Sequence, residues 1–291
     1  MSAIMPRLSL NNGVSMDALG FGVYRNPPAQ TAVAVETALA NGYRLIDTAA
    51  AYRNETEVGA ALSQSGVDRA ELFITTKLWV DDYGYDSALR AFDASMARLG
   101  LDVLGLYLLH QPLPSDFDAT IASYQALQTL YEQGRVRAIG VSNFGTEELA
   151  ELIARTDVVP AVNQIQVHPC FSEPELRAIN LEHGILTQAW SPIGGVTRYW
   201  DHGAGPAPKD PLHHPAVTAI AAAHHKTPAQ VILRWEIQLG ICVIPKSVNP
   251  KRIAENIDIF DFSLSAVELA DIGALDTGIR PGPDPDSITR S

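Results

Sequence analysis

Short apolar runs alternate with stretches of helical periodicity along most of this chain. Near the start, runs at 8–10 and 14–16 flank Asn11, Asn12 and Gly13, and an Asn-Gly pair between apolar runs predicts a β-hairpin. Beyond the hairpin, the pattern predicts eight strands that are mostly apolar on both faces, as buried parallel strands are: 19–23, 45–47, 73–77, 104–110, 136–141, 162–167, 185–190 and 241–244. Helical spacing predicts ten helices: 31–40, 56–65, 86–99, 119–133, 146–155, 173–182, 216–225, 228–239, 250–257 and 265–275.

The order of these elements is that of a parallel α/β protein. Eight strand–helix units, an N-terminal β-hairpin and two extra helices within 291 residues favour a closed (β/α)8 TIM barrel. An open, doubly wound sheet would bring a Gly-x-Gly-x-x-Gly turn after its first strand. Residues 20–25 read GFGVYR and lack the third glycine. No linker or shift in composition divides the chain, so we predict a single domain over residues 1–291.

Composition and charge exclude several classes of protein. The chain is 46% hydrophobic and 19% charged, as globular proteins are, and its net charge of −12 argues against a nucleic-acid partner. It has no apolar run of membrane-spanning length and no signal-like N-terminus, so we expect a cytoplasmic protein without a membrane partner. Its two cysteines, Cys170 and Cys242, are too few for a disulfide framework and are expected to be buried or semi-buried thiols in a reducing compartment.

Four polar residues follow or end three successive predicted strands. They are Asp47, Tyr52, Lys77 and His110. In a parallel barrel the carboxyl ends of the strands meet at one mouth, where active sites are built. A single charged residue at a strand end is usually a satisfied polar group, but four at adjacent strand ends favour a functional site.

These side chains suit the protonation of an oxygen that gains negative charge. A free phenol has a pKa of about 10, which makes it a weak acid near neutral pH. A nearby ammonium lowers that pKa, and a carboxylate keeps the ammonium charged and oriented. Tyr52, Lys77 and Asp47 are predicted to act together in this way, and His110 to donate to a substrate oxygen or orient it. Carbonyl reduction is the obvious reaction for such a set.

A series of motifs runs along the chain: IDTAAAYRNE (46–55), ITTKLW (74–79), LYLLH (106–110), GVSNF (140–144), VNQIQVHP (162–169), WSPIG (190–194) and IPKSVNPKRI (244–253). In these motifs the chain resembles the aldo-keto reductase family, and the matches run in order from about residue 19 to residue 276. Its compact length and Trp190 most resemble the bacterial branch of 2,5-diketo-D-gluconic acid reductases.

This resemblance implies a TIM barrel that binds NADPH and reduces aldehydes or ketones to alcohols. By motif position, Tyr52 is the proton donor, Lys77 and Asp47 lower its pKa, and His110 orients the carbonyl. The hydride comes from the nicotinamide, so the protein supplies position and electrostatics.

The resemblance also implies a cofactor site. Ser142, Asn143 and Gln164 would hold the nicotinamide amide, and Trp190 would stack on its ring. Lys246, Ser247 and Arg252, at the start of a helix, form a predicted anion site for the 2′-phosphate, with Glu255 and Asn256 near the adenine. The remaining predicted cofactor residues are Gly22, Val23, Ser191, Pro192, Gly194 and Val248.

The predicted substrate pocket is walled by aromatic residues and by Gln111, which stands where many relatives carry tryptophan. Its walls are expected to include Tyr24, Trp79, Tyr107 (unless it faces the barrel interior), Tyr199 and Trp200. The long loop from 191 to 215 is expected to fold over the pyrophosphate.

We predict no metal site, because the pairs at 213–214 and 224–225 place adjacent histidines in different directions and no Cys or carboxylate joins them at ligand spacing.

Two other functions remain open from the sequence. One is a regulatory or sensor protein that binds NADP(H) with little turnover, and the intact four-residue set argues against it. The other is a phosphate-sugar lyase or isomerase, which rests on the fold alone and predicts no need for NADPH. We expect a small-molecule carbonyl substrate and a monomer, because no large apolar stripe stands apart from the core pattern.

Overall fold

Eight parallel strands and their helices follow one another in the predicted order. The computed structural model describes residues 5–195, 210–282 and 284–290. The strands are β1 (Arg7–Ser9), β2 (Ser15–Asp17), β3 (Phe21–Gly22), β4 (Leu45–Asp47), β5 (Phe73–Leu78), β6 (Leu104–Leu109), β7 (Val136–Ser142), β8 (Val162–Gln166), β9 (Leu186–Trp190) and β10 (Cys242–Val243). The helices are α1 (Pro28–Ala40), α2 (Glu55–Gln64), α3 (Tyr85–Leu99), α4 (Phe117–Glu132), α5 (Thr146–Arg155), α6 (Pro174–Glu182), α7 (Pro215–Ala223), α8 (Pro228–Gln238), α9 (Pro250–Ile257) and α10 (Ala266–Gly273).

The eight strands from β3 to β10 form one sheet that closes on itself. Neighbours in the sheet follow chain order, and every pair is parallel. The seam between β10 and β3 is closed by a parallel bridge from Leu19 to Val243 and by a 2.8 Å hydrogen bond that the Gly20 amide donates to the Val243 carbonyl. The Gly22 amide adds a 3.1 Å bond to the Pro245 carbonyl. The predicted (β/α)8 barrel is confirmed, with α7 and α10 as the two helices beyond the eight units.

Two layers of apolar side chains hold the barrel together. An outer layer packs the helices against the sheet and includes Val35, Phe92 and Leu127. An inner layer fills the barrel and includes Leu106 and Leu108. Because side chains alternate across a strand, successive residues of one strand enter different layers.

The β1–β2 hairpin lies across the amino ends of the barrel strands. Its two strands pair antiparallel, as predicted, and Leu10 and Met16 pack into the inner layer. The Asn11 side chain donates a 3.0 Å hydrogen bond to the Pro160 carbonyl, just before β8. The hairpin therefore fills the end of the barrel opposite the mouth.

The strands at the seam are shorter than the sequence predicts. The predicted strands 19–23 and 241–244 keep only two regular residues each, Phe21–Gly22 and Cys242–Val243. Their other residues contribute single bridges and loop hydrogen bonds.

Cys170 and Cys242 are unbridged and buried, as expected. Within the described ranges, no helix combines the length and apolar character needed to cross a bilayer.

Candidate active site

Four polar side chains meet at the mouth formed by the carboxyl ends of β4, β5 and β6. Asp47 is the last residue of β4, Lys77 is next to last in β5, and His110 directly follows β6. Tyr52 lies on a short 3-10 turn, Ala50–Tyr52, between β4 and α2. Because β4, β5 and β6 are neighbours in the sheet, Asp47, Lys77 and His110 lie side by side.

The loop that carries Tyr52 is fixed by a buried asparagine. The Thr48 hydroxyl donates a 2.9 Å hydrogen bond to Asn54 Oδ1, and Asn54 Nδ2 donates a 3.0 Å bond to the Val23 carbonyl. Asn54 is fully buried. The Tyr52 ring packs against Tyr24, with 5.0 Å between ring centroids. These contacts hold the phenol at the mouth before any ligand arrives.

The Lys77 ammonium lies behind the phenol with all three of its N–H groups engaged. It donates to Asp47 Oδ1 at 2.6 Å, to the Thr48 carbonyl at 2.9 Å and to the Tyr52 hydroxyl at 3.3 Å. The Lys77 side chain is 0% exposed and that of Asp47 is 2% exposed. Burial lowers the pKa of Lys77 and raises the pKa of Asp47, and the contact between them opposes both shifts.

The prediction that Lys77 and Asp47 lower the pKa of Tyr52 is not met in this structure. Burial raises the pKa of the phenol well above its usual value, and the Asp47 charge raises it further. The phenol therefore keeps its proton throughout the neutral range. The hydrogen bond from Lys77 would stabilise negative charge on the phenol oxygen if that oxygen released its proton.

His110 is held neutral beside the phenol. Burial and the Lys77 charge lower its pKa well below the usual value. Its ring packs edge-on against Tyr52 at 5.6 Å and Trp79 at 5.1 Å. Its Nδ1 is buried with no hydrogen-bond partner. We therefore assign the proton to Nε2, since a buried N–H without an acceptor would be costly.

A cavity of about 850 Å³ opens at this mouth, within the size range of small-molecule sites. Most of the predicted site residues line it: Asp47, Tyr52, His110, Gly22, Ser142, Asn143, Gln164, Trp190, Ser191, Pro192, Lys246, Tyr24, Trp79 and Gln111. The loop at 191–195 also contributes Ile193 and Gly195. One cavity therefore joins the proton-donor set to much of the predicted cofactor site.

Several predicted residues lie outside the lining of this cavity. They are Lys77, Val23, Gly194, Ser247, Val248, Arg252, Glu255, Asn256 and Tyr107. Val23 is fully buried in the outer layer, with its amide bonded to the Asp47 carbonyl. Tyr107 is also in the outer layer, where it packs on Phe92 at 5.0 Å, so its prediction as a pocket wall was wrong. Tyr199 and Trp200 lie outside the described residues.

Two side-chain amides in the lining have their N–H groups bonded within the protein. Asn143 Nδ2 donates to the His110 carbonyl at 3.0 Å and to Ser142 Oγ at 3.1 Å, and Asn143 Oδ1 accepts a 2.9 Å bond from Trp190 Nε1. Gln164 Nε2 donates 2.7 Å bonds to Asp47 Oδ2 and Gln188 Oε1. Both amides can therefore offer a ligand only a carbonyl oxygen, which suits a ligand with N–H groups.

The predicted anion site rests on side chains and not on the start of α9. The Asn249 side chain caps this helix and accepts from the amides of Lys251 and Arg252, so those amides are taken. Burial and the nearby Arg25 charge lower the pKa of Lys246. Within the described ranges, Lys246 has no acidic partner at ion-pair distance, and Arg252 is exposed. Two cations that lie close together, Lys246 and Arg25, favour an anionic ligand at this place.

Some residues of the site have no clear signal in the sequence. Gln188, which contacts Gln164, lies in the middle of β9. Asp284, Pro285 and Ile288, from the segment after α10, line the cavity although they follow no barrel strand. Only the register of the strands and the path of the chain bring these residues to the mouth.

The described residues contain no cluster of His, Cys, Asp and Glu that could hold a metal ion.

Comparison with known proteins agrees with this geometry. Residues 17–277 match the sequence profile of the Aldo/keto reductase family. Morphine 6-dehydrogenase of Pseudomonas putida is 54% identical over 291 residues, which cover 100% of this chain and 98% of that protein. Glyoxal reductase of Bacillus subtilis is 43% identical over 290 residues, which cover 99% of each chain.

Solved structures are also similar to this chain. A mutant of Gox0644 in complex with NADPH superposes with a TM-score of 0.89 at 42% identity, covering 98% of this chain and 99% of that one. The family match spans most of the chain and includes the four residues at the mouth. The chain belongs to the aldo/keto reductase family.

Proposed function

We propose that this protein reduces aldehydes and ketones to alcohols with NADPH, and that Tyr52 gives the carbonyl oxygen its proton. One observation carries the proposal: the Tyr52 phenol, 3.3 Å from the buried Lys77 ammonium, lines the same cavity as His110. An acid with a stabilised conjugate base, beside a neutral N–H donor, suits an oxygen that becomes negative during reaction.

In the proposed mechanism, the substrate carbonyl oxygen lies between the Tyr52 hydroxyl and His110 Nε2. His110 is neutral, so its N–H polarises the carbonyl without competing for the proton. As negative charge develops, the Tyr52 O–H bond breaks and the proton moves to the substrate oxygen. Lys77 stabilises the phenolate through its hydrogen bond, and Asp47 holds Lys77 in place.

The residues present fit an NADPH cofactor. Asn143 and Gln164 offer carbonyl oxygens to the N–H groups of a carboxamide. Trp190, fixed by its bond to Asn143, offers a ring face for the nicotinamide. Lys246 and Arg252 would meet the 2′-phosphate, with Ser247 beside them. When bound, NADPH supplies the hydride that reduces the carbonyl carbon.

We assign the substrate to small carbonyl compounds. The relatives named above act, by their names, on molecules as different in size as morphine and glyoxal. Gln111 lines the cavity, and we propose that it leaves room for bulkier carbonyl compounds than the tryptophan of many relatives does. Choice of substrate then depends on Tyr24, Trp79 and the segment that carries Ile288.

We propose further that the protein works as a monomer in the cytoplasm, with residues 1–291 as one domain. Both cysteines are unbridged, as is usual in a reducing compartment.

The decrease in NADPH absorbance with a panel of aldehydes, ketones and keto-sugar acids tests the proposal. We expect turnover by the wild type and a loss in kcat of roughly 10²- to 10⁴-fold in Tyr52→Phe, the usual contribution of a general acid. The affinity for NADPH should be retained. Tyr85→Phe is a matched control, because Tyr85 lies on α3 and is 40% exposed.

Two outcomes would contradict this function. Wild-type turnover in Tyr52→Phe would remove Tyr52 as the donor. NADPH binding without turnover on any member of the panel would favour a regulatory or sensor protein.

A further inference from the structure

A row of polar side chains crosses the inside of the barrel behind the predicted nicotinamide site. Gln164 on β8 is paired in register with Gln188 on β9, and Gln188 with Cys242 on β10. Gln188 and Cys242 are fully buried, and Gln164 is 1% exposed. The sheet register therefore sets these three side chains next to one another.

The side chains form a chain of hydrogen bonds that ends at the hairpin. Gln164 Nε2 donates a 2.7 Å bond to Gln188 Oε1, and Gln188 Nε2 donates a 3.3 Å bond to Cys242 Sγ. Cys242 Sγ lies 3.5 Å from the Asp17 carbonyl, to which it donates. At the other end, Gln164 Nε2 also donates to Asp47 Oδ2 at 2.7 Å.

The two ends of the row fix the direction of every bond within it. The Asp17 carbonyl can only accept, so the Cys242 thiol donates to it and its sulfur accepts from Gln188. The Gln188 amide must then present its oxygen to Gln164. Ionised Asp47 also only accepts, so both N–H groups of Gln164 point into the protein. Gln164 lines the cavity, and its carbonyl oxygen is the part left for a ligand.

We propose that Gln188 and Cys242 are positioning residues that orient the Gln164 amide for the nicotinamide carboxamide. The hydrogen bond to Asp47 turns the nitrogen of the Gln164 amide inward, and Gln188 fixes the plane of the amide by accepting a bond from its second N–H. The carbonyl oxygen of Gln164 is thereby aimed to accept an N–H from the carboxamide. This inference rests on the proposed function, since it requires NADPH as the ligand.

A purely structural role for the row makes a different prediction. If Gln188 and Cys242 only provided each other with a hydrogen-bond partner, their loss would weaken the binding of every ligand of the cavity equally. If they orient Gln164, their loss weakens only ligands that donate a hydrogen bond to it. The two cases differ in one ratio: the affinity for a ligand that donates a hydrogen bond to Gln164, divided by the affinity for a ligand that does not. This ratio does not change when a fraction of the protein molecules is unfolded.

The test measures dissociation constants, by calorimetry, for NADPH and for its 3-acetylpyridine analogue. The analogue carries a methyl ketone in place of the carboxamide and has no N–H to donate. We expect the wild type to bind NADPH about tenfold more tightly, the value of one hydrogen bond. In Gln188→Met the ratio should fall to about twofold, mainly through weaker binding of NADPH.

Two substitutions of Cys242 provide a second measurement. Cys242→Ser keeps a group that donates to the Asp17 carbonyl and accepts from Gln188, so the tenfold ratio should persist. Cys242→Ala leaves the Gln188 amide free to turn, and the ratio should fall.

Three results would overturn the inference: no preference for NADPH in the wild type, an unchanged ratio in Gln188→Met, or equal ratios in the serine and alanine variants. Wild-type protein that bound neither dinucleotide would instead refute the proposed function.

Discussion

The interior of the barrel mouth and its rim differ in what holds their charged groups. Inside, Lys77 donates three hydrogen bonds to protein atoms, and Asp47 accepts from both Lys77 and Gln164. At the rim, Lys246 lies near another cation, Arg25, and Arg252 is exposed. The interior set is complete without a ligand, whereas we propose that an anion completes the rim. On that proposal, the interior carries out the chemistry and the rim selects the cofactor.

Removing Lys77 should give the largest effect, because it breaks the interior set. Lys77→Met leaves Asp47 buried without its partner, which costs roughly 3–5 kcal/mol of unfolding free energy. We also expect kcat to fall about 100-fold or more, since the Tyr52 phenolate loses its stabilising hydrogen bond. Chemical denaturation and steady-state kinetics measure the two effects.

A second substitution separates these effects. Asp47→Asn added to Lys77→Met removes the unpaired charge, so stability should return in part while activity stays low. Wild-type stability in Lys77→Met alone would show that the interior set is not held as described.

Acid should destabilise the interior through His168. Burial lowers the pKa of His168 to about 4, and its Nε2 lies 3.1 Å from Gln166 Nε2. The unfolded chain takes up a proton near pH 6.5, whereas the folded chain does so only near pH 4. Neutral His168 therefore contributes its full share of the free energy of unfolding above pH 6.5. This share, about 3 kcal/mol, is lost as the pH falls towards 4.

Denaturation of His168→Gln between pH 7 and pH 4 measures this contribution. Its stability should fall less steeply with acid than that of the wild type. His183→Gln is the matched control, because His183 is exposed at the end of α6, and its curve should follow the wild type. Parallel curves for all three proteins would refute the assignment to His168.

The rim should show a smaller effect, seen only in the choice of cofactor. Arg252→Ala should weaken NADPH about tenfold or more, the value of a charge-assisted hydrogen bond, and leave NADH nearly unchanged. Added salt should reduce the difference, because the rim is open to solvent. Binding titrations with both dinucleotides at two salt concentrations provide the measurement.

A neighbouring lysine offers the control for this variant. Lys251 is 83% exposed and lies 3.6 Å from Glu255, so Lys251→Ala should change neither affinity appreciably. Equal weakening of NADPH and NADH in Arg252→Ala would reject a phosphate contact.

The sequence predicts the fold and the four mouth residues because both depend on order along the chain. Strand–helix alternation leads to the barrel, and the carboxyl end of each strand marks the mouth. The side that each strand residue faces is harder to predict. Tyr107 and Leu106 are adjacent and apolar, yet they enter different layers. Strands buried on both faces carry no alternating pattern from which to assign them.

Contacts between side chains on neighbouring strands could not be predicted either. Gln188 follows Thr187 in an otherwise apolar run, and only the register with β8 and β10 shows what it touches. The raised pKa of Tyr52 depends on burial, which the motif does not reveal. The Asn249 cap is different, because an Asn before Pro250 is a helix-start signal that the predicted anion site left out of account.

The seam between β3 and β10 has a consequence for how the protein is made. Asp47, Tyr52, Lys77 and His110 all lie in the first half of the chain and leave the ribosome early. The strand that pairs with Leu19 contains Val243 and is synthesised much later. Until it arrives, β3 presents an open edge, the kind of surface that chaperones cover and that aggregation exploits. The nascent chain therefore carries all four reactive groups throughout the synthesis of the residues from His110 to Val243, before the ring that encloses them can close.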